Sequence, residues 1–363
     1  MANKIDAVAV GNLFTQESLQ QFQGPDGQVI EALARAKGEM DALAYAALVE
    51  HLSTGDGADS IVAKAQALAG EFADARGVSI GDTLGSNPHP VGAGVADLGA
   101  GDDTVRGQAT AQVTGDGAGL FADANGVIVD DKSRLDTGAG NDTVVGRAAA
   151  SNTGTGRPGS AVVADGIENR GTLTTGAGND VIRGTGRTDS NQAFSVAGGI
   201  DNGLGAIQAG FDVDAVLDTG AGADQLIGSS EPTAVGANAF AGGIENFGTI
   251  NTGADGDILR ARANSLVTDG EEGVLSNADG IDNRGDIVTG GGNDLLDARV
   301  SATTDGGSAI AIGIRNETGG NIETRQGADE LIGAATATGV EDVGATGVLF
   351  VDANTGAGAD IVT

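Results

Sequence analysis

The octapeptide Thr137–Val144, TGAGNDTV, constrains this chain more than any other stretch, because versions of it recur from Thr54 to the last residue. Each copy ends in an aspartate followed two positions later by a branched aliphatic. The aspartates are Asp59, Asp103, Asp142, Asp180, Asp224, Asp257, Asp294, Asp329 and Asp360. Their partners are Ile61, Val105, Val144, Ile182, Leu226, Leu259, Leu296, Leu331 and Val362. Intervals of about 31 to 44 residues fall in the range of solenoid and propeller repeats. A separation of two places both side chains on one side of a strand, so an aliphatic that enters the core takes its aspartate with it. In a stack of parallel coils equivalent carboxylates lie about 4.8 Å apart. At an effective dielectric of 20, neighbours at that distance repel by roughly 3 kcal/mol. Such a column calls for cations, and the Gly-x-Gly before most of the aspartates, as in Gly138 and Gly140, can turn tightly and offer carbonyl oxygens to a hard ion; the weakest copies have Arg325 in place of a glycine and Asp255-Gly256 in swapped order.

These residues carry a resemblance. The stretch is similar to the hemolysin-type nonapeptide G-G-x-G-x-D-x-U-x of the RTX (repeats-in-toxin) family, over about Ser53 to Thr363. The resemblance implies a parallel β-roll with about eight Ca²⁺ bound between turns. Its metal ligands would be the nine aspartates and the glycines Gly138, Gly140, Gly176, Gly178, Gly220 and Gly222. It also implies an extracellular protein exported by type I secretion without a cleaved leader, folding once calcium is available. Two departures stand out. Thr137, Thr175 and Thr219 replace the first glycine, with Leu98 there in one copy, and one motif serves a whole repeat of about 37 residues instead of nine.

A second element precedes most motifs: Gly166-Ile167-Glu168-Asn169, Gly199-Ile200-Asp201-Asn202, Gly243-Ile244-Glu245-Asn246, Gly280-Ile281-Asp282-Asn283 and Gly313-Ile314-Arg315-Asn316. Alternation sets Ile and Asn on one side and the acid on the other, so the asparagines should stack as an amide ladder. Glu168, Asp201, Glu245 and Asp282 read as an outward, solvated row. The interval from this glycine to the motif aspartate is the same from Gly166 to Asp180, Gly243 to Asp257 and Gly280 to Asp294. The segment after each motif varies in length. Constant spacing marks faces that stack in register, and variable spacing marks an edge where loops bulge. The expected fold is all-β: a right-handed parallel β-helix of eight or nine coils with three strand-like faces, over residues 53–363.

Residues 1–52 differ. Thr15 is placed to cap a short helix bearing Leu19 and Phe22, and Gly24-Pro25-Asp26-Gly27 reads as a turn. From Gln28 to Leu52, Val29, Ile30, Leu33, Met40, Leu43, Ala44, Ala47, Leu48 and Leu52 recur at helical spacing, which predicts an amphipathic helix capping the solenoid. The alanine-rich Ile61–Phe72 also reads as helical, and Ser86-Asn87-Pro88-His89-Pro90 as a loop.

Composition narrows the function. A formal charge of −32 disfavours nucleic acid and anionic membranes as partners. No cysteine is present, which excludes thiolate metal sites and disulfides. No apolar run is long enough for a membrane span. Of the two histidines, His51 lies on the apolar face of the expected helix and His89 between prolines, so no Ser-His-Asp arrangement forms and the chain reads as a non-enzyme. The expected role is a structural or adhesive module of a surface layer, filament or adhesin. A cell-surface polysaccharide is its candidate partner, and head-to-tail self-association would run through the strand edge at Asp360 and Val362. The alternatives are a carbohydrate-binding or carbohydrate-active β-helix, for which arginines and acids would have to converge in one groove, and an ice-binding array. The array is broken, because Ala139, Ala177 and Ala221 occupy one of its two outward positions.

Overall fold

A computed structural model describes residues 27–81, 92–154, 159–203, 214–350 and 353–363, with the backbone of three strands before them, Asn3–Val8, Phe14–Leu19 and Phe22–Gln23. The expected loop at Ser86–Pro90, with His89, lies outside the described residues, as do Gly24 to Asp26 of the expected turn. The chain winds through three all-parallel sheets of eleven, ten and ten strands. One coil supplies a long strand, Thr143–Asn152, a middle strand, Ala161–Asn169, and a short strand, Thr172–Thr174. The next coil repeats this as Val181–Asn191, Phe194–Asn202 and Val216–Asp218. Each residue pairs with its equivalent one coil away, for example Val144 with Ile182 and Ile167 with Ile200. This is the expected β-solenoid.

The helical cap is not formed. The segment from residue 28 to 53 folds as strands Val29–Lys37, Asp41–Val49 and His51–Ser53, and the earlier residues form the three strands given above. Val29–Lys37 pairs in register with Ser60–Ala69, which is likewise a strand and not a helix. The helical reading followed the large aliphatics with Ala44 and Ala47 and passed over the alternation of the remaining alanines. The buried set has period two: Ile30, Ala32, Ala34 and Ala36 in one strand, and Ile61, Ala63, Ala65, Ala67 and Ala69 in the next. Alanine favours helices in isolation, yet stacking against an existing sheet edge overrides that preference. His51, expected to pack, is exposed.

Alanine is used because the long and middle sheets nearly touch. A Cβ added to Gly146 would lie 1.9 Å from the carbonyl oxygen of Gly166, and one on Gly184 would lie 1.9 Å from that of Gly199. Gly228 meets Gly243 in the same way. Facing glycine columns therefore pinch the cross-section. To one side lie Ile182, Ile200 and Leu217, one from each sheet, and to the other lie alanines such as Ala148, Ala150 and Ala164. A core this thin has little room for aromatic rings, which make up 3% of the chain.

At the corner between middle and short strands the asparagine ladder forms as expected. Asn169 Nδ2 donates to Asn202 Oδ1 (2.7 Å), Asn202 to Asn246 (2.8 Å), Asn246 to Asn283 (2.7 Å) and Asn283 to Asn316 (2.6 Å). Each amide also donates to a backbone carbonyl, as from Asn202 to Thr249 (2.9 Å) and from Asn246 to Asp286 (3.0 Å). All five asparagines are completely buried. Length varies at two corners: between long and middle strands, from Asn152 to Ala161 against Asn191 to Phe194, as expected, and also between middle and short strands, from Asn202 to Val216 against Asn169 to Thr172, which the constant spacing did not predict. Replacing Asn246 by Ala removes two donated bonds and strands the Asn202 amide, so Asn246→Ala should cost about 2 to 4 kcal/mol by denaturant unfolding. A loss below about 1 kcal/mol would show that the ladder is decorative.

Candidate functional site: an inner acidic column and an outer groove

The motif aspartates do point inward. Asp59, Asp103, Asp142, Asp180, Asp224, Asp257, Asp294 and Asp329 are all buried beside their aliphatic partners, while Asp360 at the last strand is half-buried. What holds them is the backbone of the neighbouring coil. The Asp59 N–H donates to Asp103 Oδ1 (2.6 Å), that of Asp103 to Asp142 (2.8 Å), of Asp142 to Asp180 (2.7 Å) and of Asp180 to Asp224 (2.8 Å). The series continues through Asp257, Asp294 and Asp329 to Asp360. It also extends one coil earlier, where the Gln28 N–H donates to Asp59. Gln28 thus occupies the motif position of the preceding coil, with Ile30 as its aliphatic. The signal was present in Gly27-Gln28-Val29-Ile30, masked by glutamine in place of aspartate.

The threonines that replace the first RTX glycine face the same column. Thr137 Oγ1 donates to Asp142 Oδ2 (2.6 Å), and Thr289 Oγ1 to Asp294 Oδ2 (2.6 Å). Thr175 instead gives its proton to the Thr219 carbonyl (3.4 Å), and Oδ2 of Asp180 is left buried without a hydrogen bond. The same is true of Oδ2 of Asp59, Asp103, Asp224, Asp257 and Asp329. Burial pushes the Asp103 and Asp257 carboxyls up to about 7, against the pull of their backbone amide bonds and with like-charged neighbours adding to the rise. Burial likewise raises Asp142, Asp180, Asp224 and Asp294.

Whether these residues fit calcium turns on the free oxygens. The ion takes about six to eight oxygen ligands. Each motif aspartate has committed Oδ1 to an amide; Oδ2 is open in Asp59, Asp103, Asp180, Asp224, Asp257 and Asp329 but taken by a threonine in Asp142 and Asp294. The glycine turns stack tightly: Gly138, Gly176 and Gly220 accept from Ala177, Ala221 and Ala254 of the next coil at 3.1, 2.8 and 3.4 Å. Cβ atoms on Gly178 and Gly222 would lie 1.7 Å from the Gly140 and Gly178 carbonyls, so these oxygens point at the next turn. Among the described residues, no group of three or more His, Cys, Asp or Glu side chains gathers closely enough for a metal ion. The donor set, as folded, fits an amide-bonded and partly protonated column better than a calcium cage.

The outward acids behave differently from the solvated row expected of them. Glu168, Asp201 and Asp282 are buried. In the middle sheet the register skips Gly126, Gly166, Gly199, Gly243, Gly280 and Gly313. At these skips alternation breaks, so Asp165 and Glu168, three apart, line one groove, as do Asp279 and Asp282. The groove runs along the outer face of the middle sheet with a volume of about 450 Å³. Phe121, Phe194, Phe240 and Phe247 line it, with the Phe194 and Phe240 ring centroids 4.9 Å apart.

Its charges are unevenly matched. At one end Arg170 pairs with Glu168 and, at 3.6 Å, with Asp130. At the other, Arg284 meets Asp282 and Glu317 at 3.1 Å, and Arg315 pairs with Asp279 and, at 3.2 Å, with Glu317. Between them stand Asp165, Asp201 and Glu245. Burial, then neighbouring carboxylates, raises Asp165 and Asp201, and the same causes lift Glu245 to about 7. At the outer edge Asp123 is also pushed up to about 7 by burial, then by Asp74 and Glu168. Sequence reasoning had Glu168, Asp201, Glu245, Asp282 and Arg315 in one repeated element but missed Asp165, Asp279, Arg170 and Arg284 as their neighbours. The available signal was the residue after the ladder asparagine, which is Arg170 in one copy, Arg284 in another and Phe247 between them.

No family model matches the chain, nor does any curated protein or solved structure. The resemblance to RTX repeats therefore rests on the motif, and what stands is a repetitive parallel β-solenoid of three sheets.

A carboxyl whose folded pKa exceeds its unfolded value holds its proton more tightly when folded. Its contribution therefore favours folding at low pH and is lost as pH rises through the folded value. Asp103 and Asp257 act between the ordinary carboxylate range and about 7, and the other raised carboxyls act in the same direction. The thermal midpoint should therefore fall by several °C from about pH 5.5 to about pH 8; a higher midpoint at the alkaline end would contradict the protonated column. Dialysis against a chelator should leave the β circular-dichroism signal intact, whereas its collapse would restore the calcium account.

Proposed function

We propose that this chain is a structural β-solenoid whose middle sheet carries a binding groove for an extended ligand. The observation that carries the reading is the convergence of acids, arginines and phenylalanines from successive coils on one groove. In a solenoid each coil presents its side chains one strand spacing beyond the last, so a row of similar groups suits a ligand laid along the axis. A reaction centre needs one unlike constellation, whereas this groove repeats related residues over several coils. The convergence of arginines and acids meets the condition set for a carbohydrate-binding or carbohydrate-active β-helix, and its repetition over several coils supports binding over reaction, with a surface polysaccharide among the candidate occupants. Folding would follow from the amide ladders and from protons on the buried acids. The extracellular location and type I export implied by the RTX resemblance go with calcium-dependent folding, and the chelator experiment bears on both.

The floor of the groove offers a test. A Cβ on Gly198 would first meet Asp165 Oδ1 at 2.4 Å, and one on Gly242 would meet Glu245 Oε1 at 2.4 Å. These are ends of flexible side chains, so Gly198→Val and Gly242→Val should fill the groove without disturbing the backbone. In a thermal-shift screen of oligosaccharides, peptides and oligoamines, ligands that stabilise the wild type should lose the effect in the filled variants. Equal shifts in both proteins would place binding elsewhere.

A further inference from the structure

We propose that the centre of the groove binds a linear aliphatic oligoamine, its ammonium groups on Asp201, Glu245 and Asp165 and its methylenes against Phe194 and Phe240. This inference rests on the groove being a binding site and names the chemistry of its occupant.

Charge comes first. Both ends of the groove are neutralised internally, by Arg170 on Glu168 and by Arg284 and Arg315 on Asp279 and Asp282. No ion pair is recorded among the described residues for Asp165, Asp201 or Glu245. Asp201 is the sharpest case: it is 9% exposed, lines the groove, and its Oδ1 is buried with no hydrogen bond. A carboxylate in the groove wall with an oxygen left without a donor gains most from a ligand that brings a cation or an N–H.

Shape then separates an organic cation from a metal. Asp201 and Glu245 are direct partners in register, one strand spacing apart along the axis. Asp165 lies one coil before Asp201 and on the far side of the glycine bend. The acids form a staggered row, and no three of them gather around one point. A hard divalent ion needs convergent oxygens. A chain carrying ammonium groups a few methylenes apart needs a row spaced like strands, about 4.8 Å per step.

The apolar lining completes the match. Phe194 and Phe240 lie alongside the acids, and the groove already holds one cation over a ring, with the Arg284 guanidinium 5.0 Å from the Phe247 centroid. An alkylammonium can use both surfaces, the carboxylates for charge and the ring faces for methylenes and cation–π attraction. A neutral sugar brings no cation, so it offers Asp201 and Glu245 nothing that favours their ionised forms.

Isothermal titration of the full chain with spermidine, at neutral pH and low salt, tests this. Calcium chloride, a neutral hexasaccharide and a lysine-rich peptide serve as separate arms. Spermidine should bind with about one molecule per chain and at least tenfold more tightly than calcium. Asp201→Asn and Glu245→Gln should each weaken it at least tenfold, while exposed Glu31→Gln leaves it unchanged. These variants relieve repulsion and should fold, which circular dichroism verifies. Spermidine binding no tighter than calcium, or unaffected by Asp201→Asn, overturns the proposal. Hexasaccharide binding lost in Gly242→Val, without spermidine binding, overturns the amine and keeps the groove. If neither binds, both readings fall. Binding of the lysine peptide at least tenfold tighter than spermidine would identify the amine source as a protein side chain and overturn a free oligoamine.

Discussion

Parallel stacking of equivalent residues is the constraint on which everything else in this molecule depends. When coil follows coil in register, every side chain meets its own counterpart about 4.8 Å away. Apolar groups gain from that arrangement, and amides gain twice, because each is both donor and acceptor. The Asn169 to Asn316 ladder uses this directly. Charges lose, since like must stack on like, and the chain meets the loss in two different ways.

Inside, the motif aspartates stack, but their Oδ1 atoms reach the amide of the neighbouring coil, so each carboxylate receives a donor where it would otherwise face a carboxylate. Threonine supplies a second donor in the coils of Asp142 and Asp294. The substitution of threonine for glycine, a defect when judged as a calcium turn, is a gain when judged as a hydrogen-bonded corner. Outside, on the middle sheet, arginines enter the acid rows at both ends, while Asp165, Asp201 and Glu245 between them are unmatched. The same stacking rule thus yields a column within the wall whose Oδ1 atoms are all met by backbone amides, and a stretch of unmatched acids on its surface. Unmatched charge in a groove is where a ligand has most to contribute, which is why the proposed oligoamine site sits there.

The glycine columns link the core to the surface. Facing glycines such as Gly184 and Gly199 let two sheets approach backbone to backbone. This thins the core and admits alanine in place of larger groups. The same glycines interrupt strand alternation on the outer face, turning Asp165 and Glu168 toward one groove. One residue type in register therefore sets both the narrow interior and the concave exterior.

The sequence by itself determined the repeat, the inward aspartates and aliphatics and the amide ladder, because each depends only on spacing along the chain and on the two-residue period of a strand. It misread residues 28–52 and 61–72 as helix, since alanine at alternate positions looks the same in isolation whether a sheet edge waits for it or not. Only the tertiary structure decided that Gln28 joins the aspartate column and that Oδ1 goes to a neighbouring amide. It alone decided that Arg170, Arg284 and Arg315 meet the acids in a groove. Those are contacts between coils, fixed by which residues stack and by how far a glycine lets the sheets approach, and neither quantity is written in any single repeat.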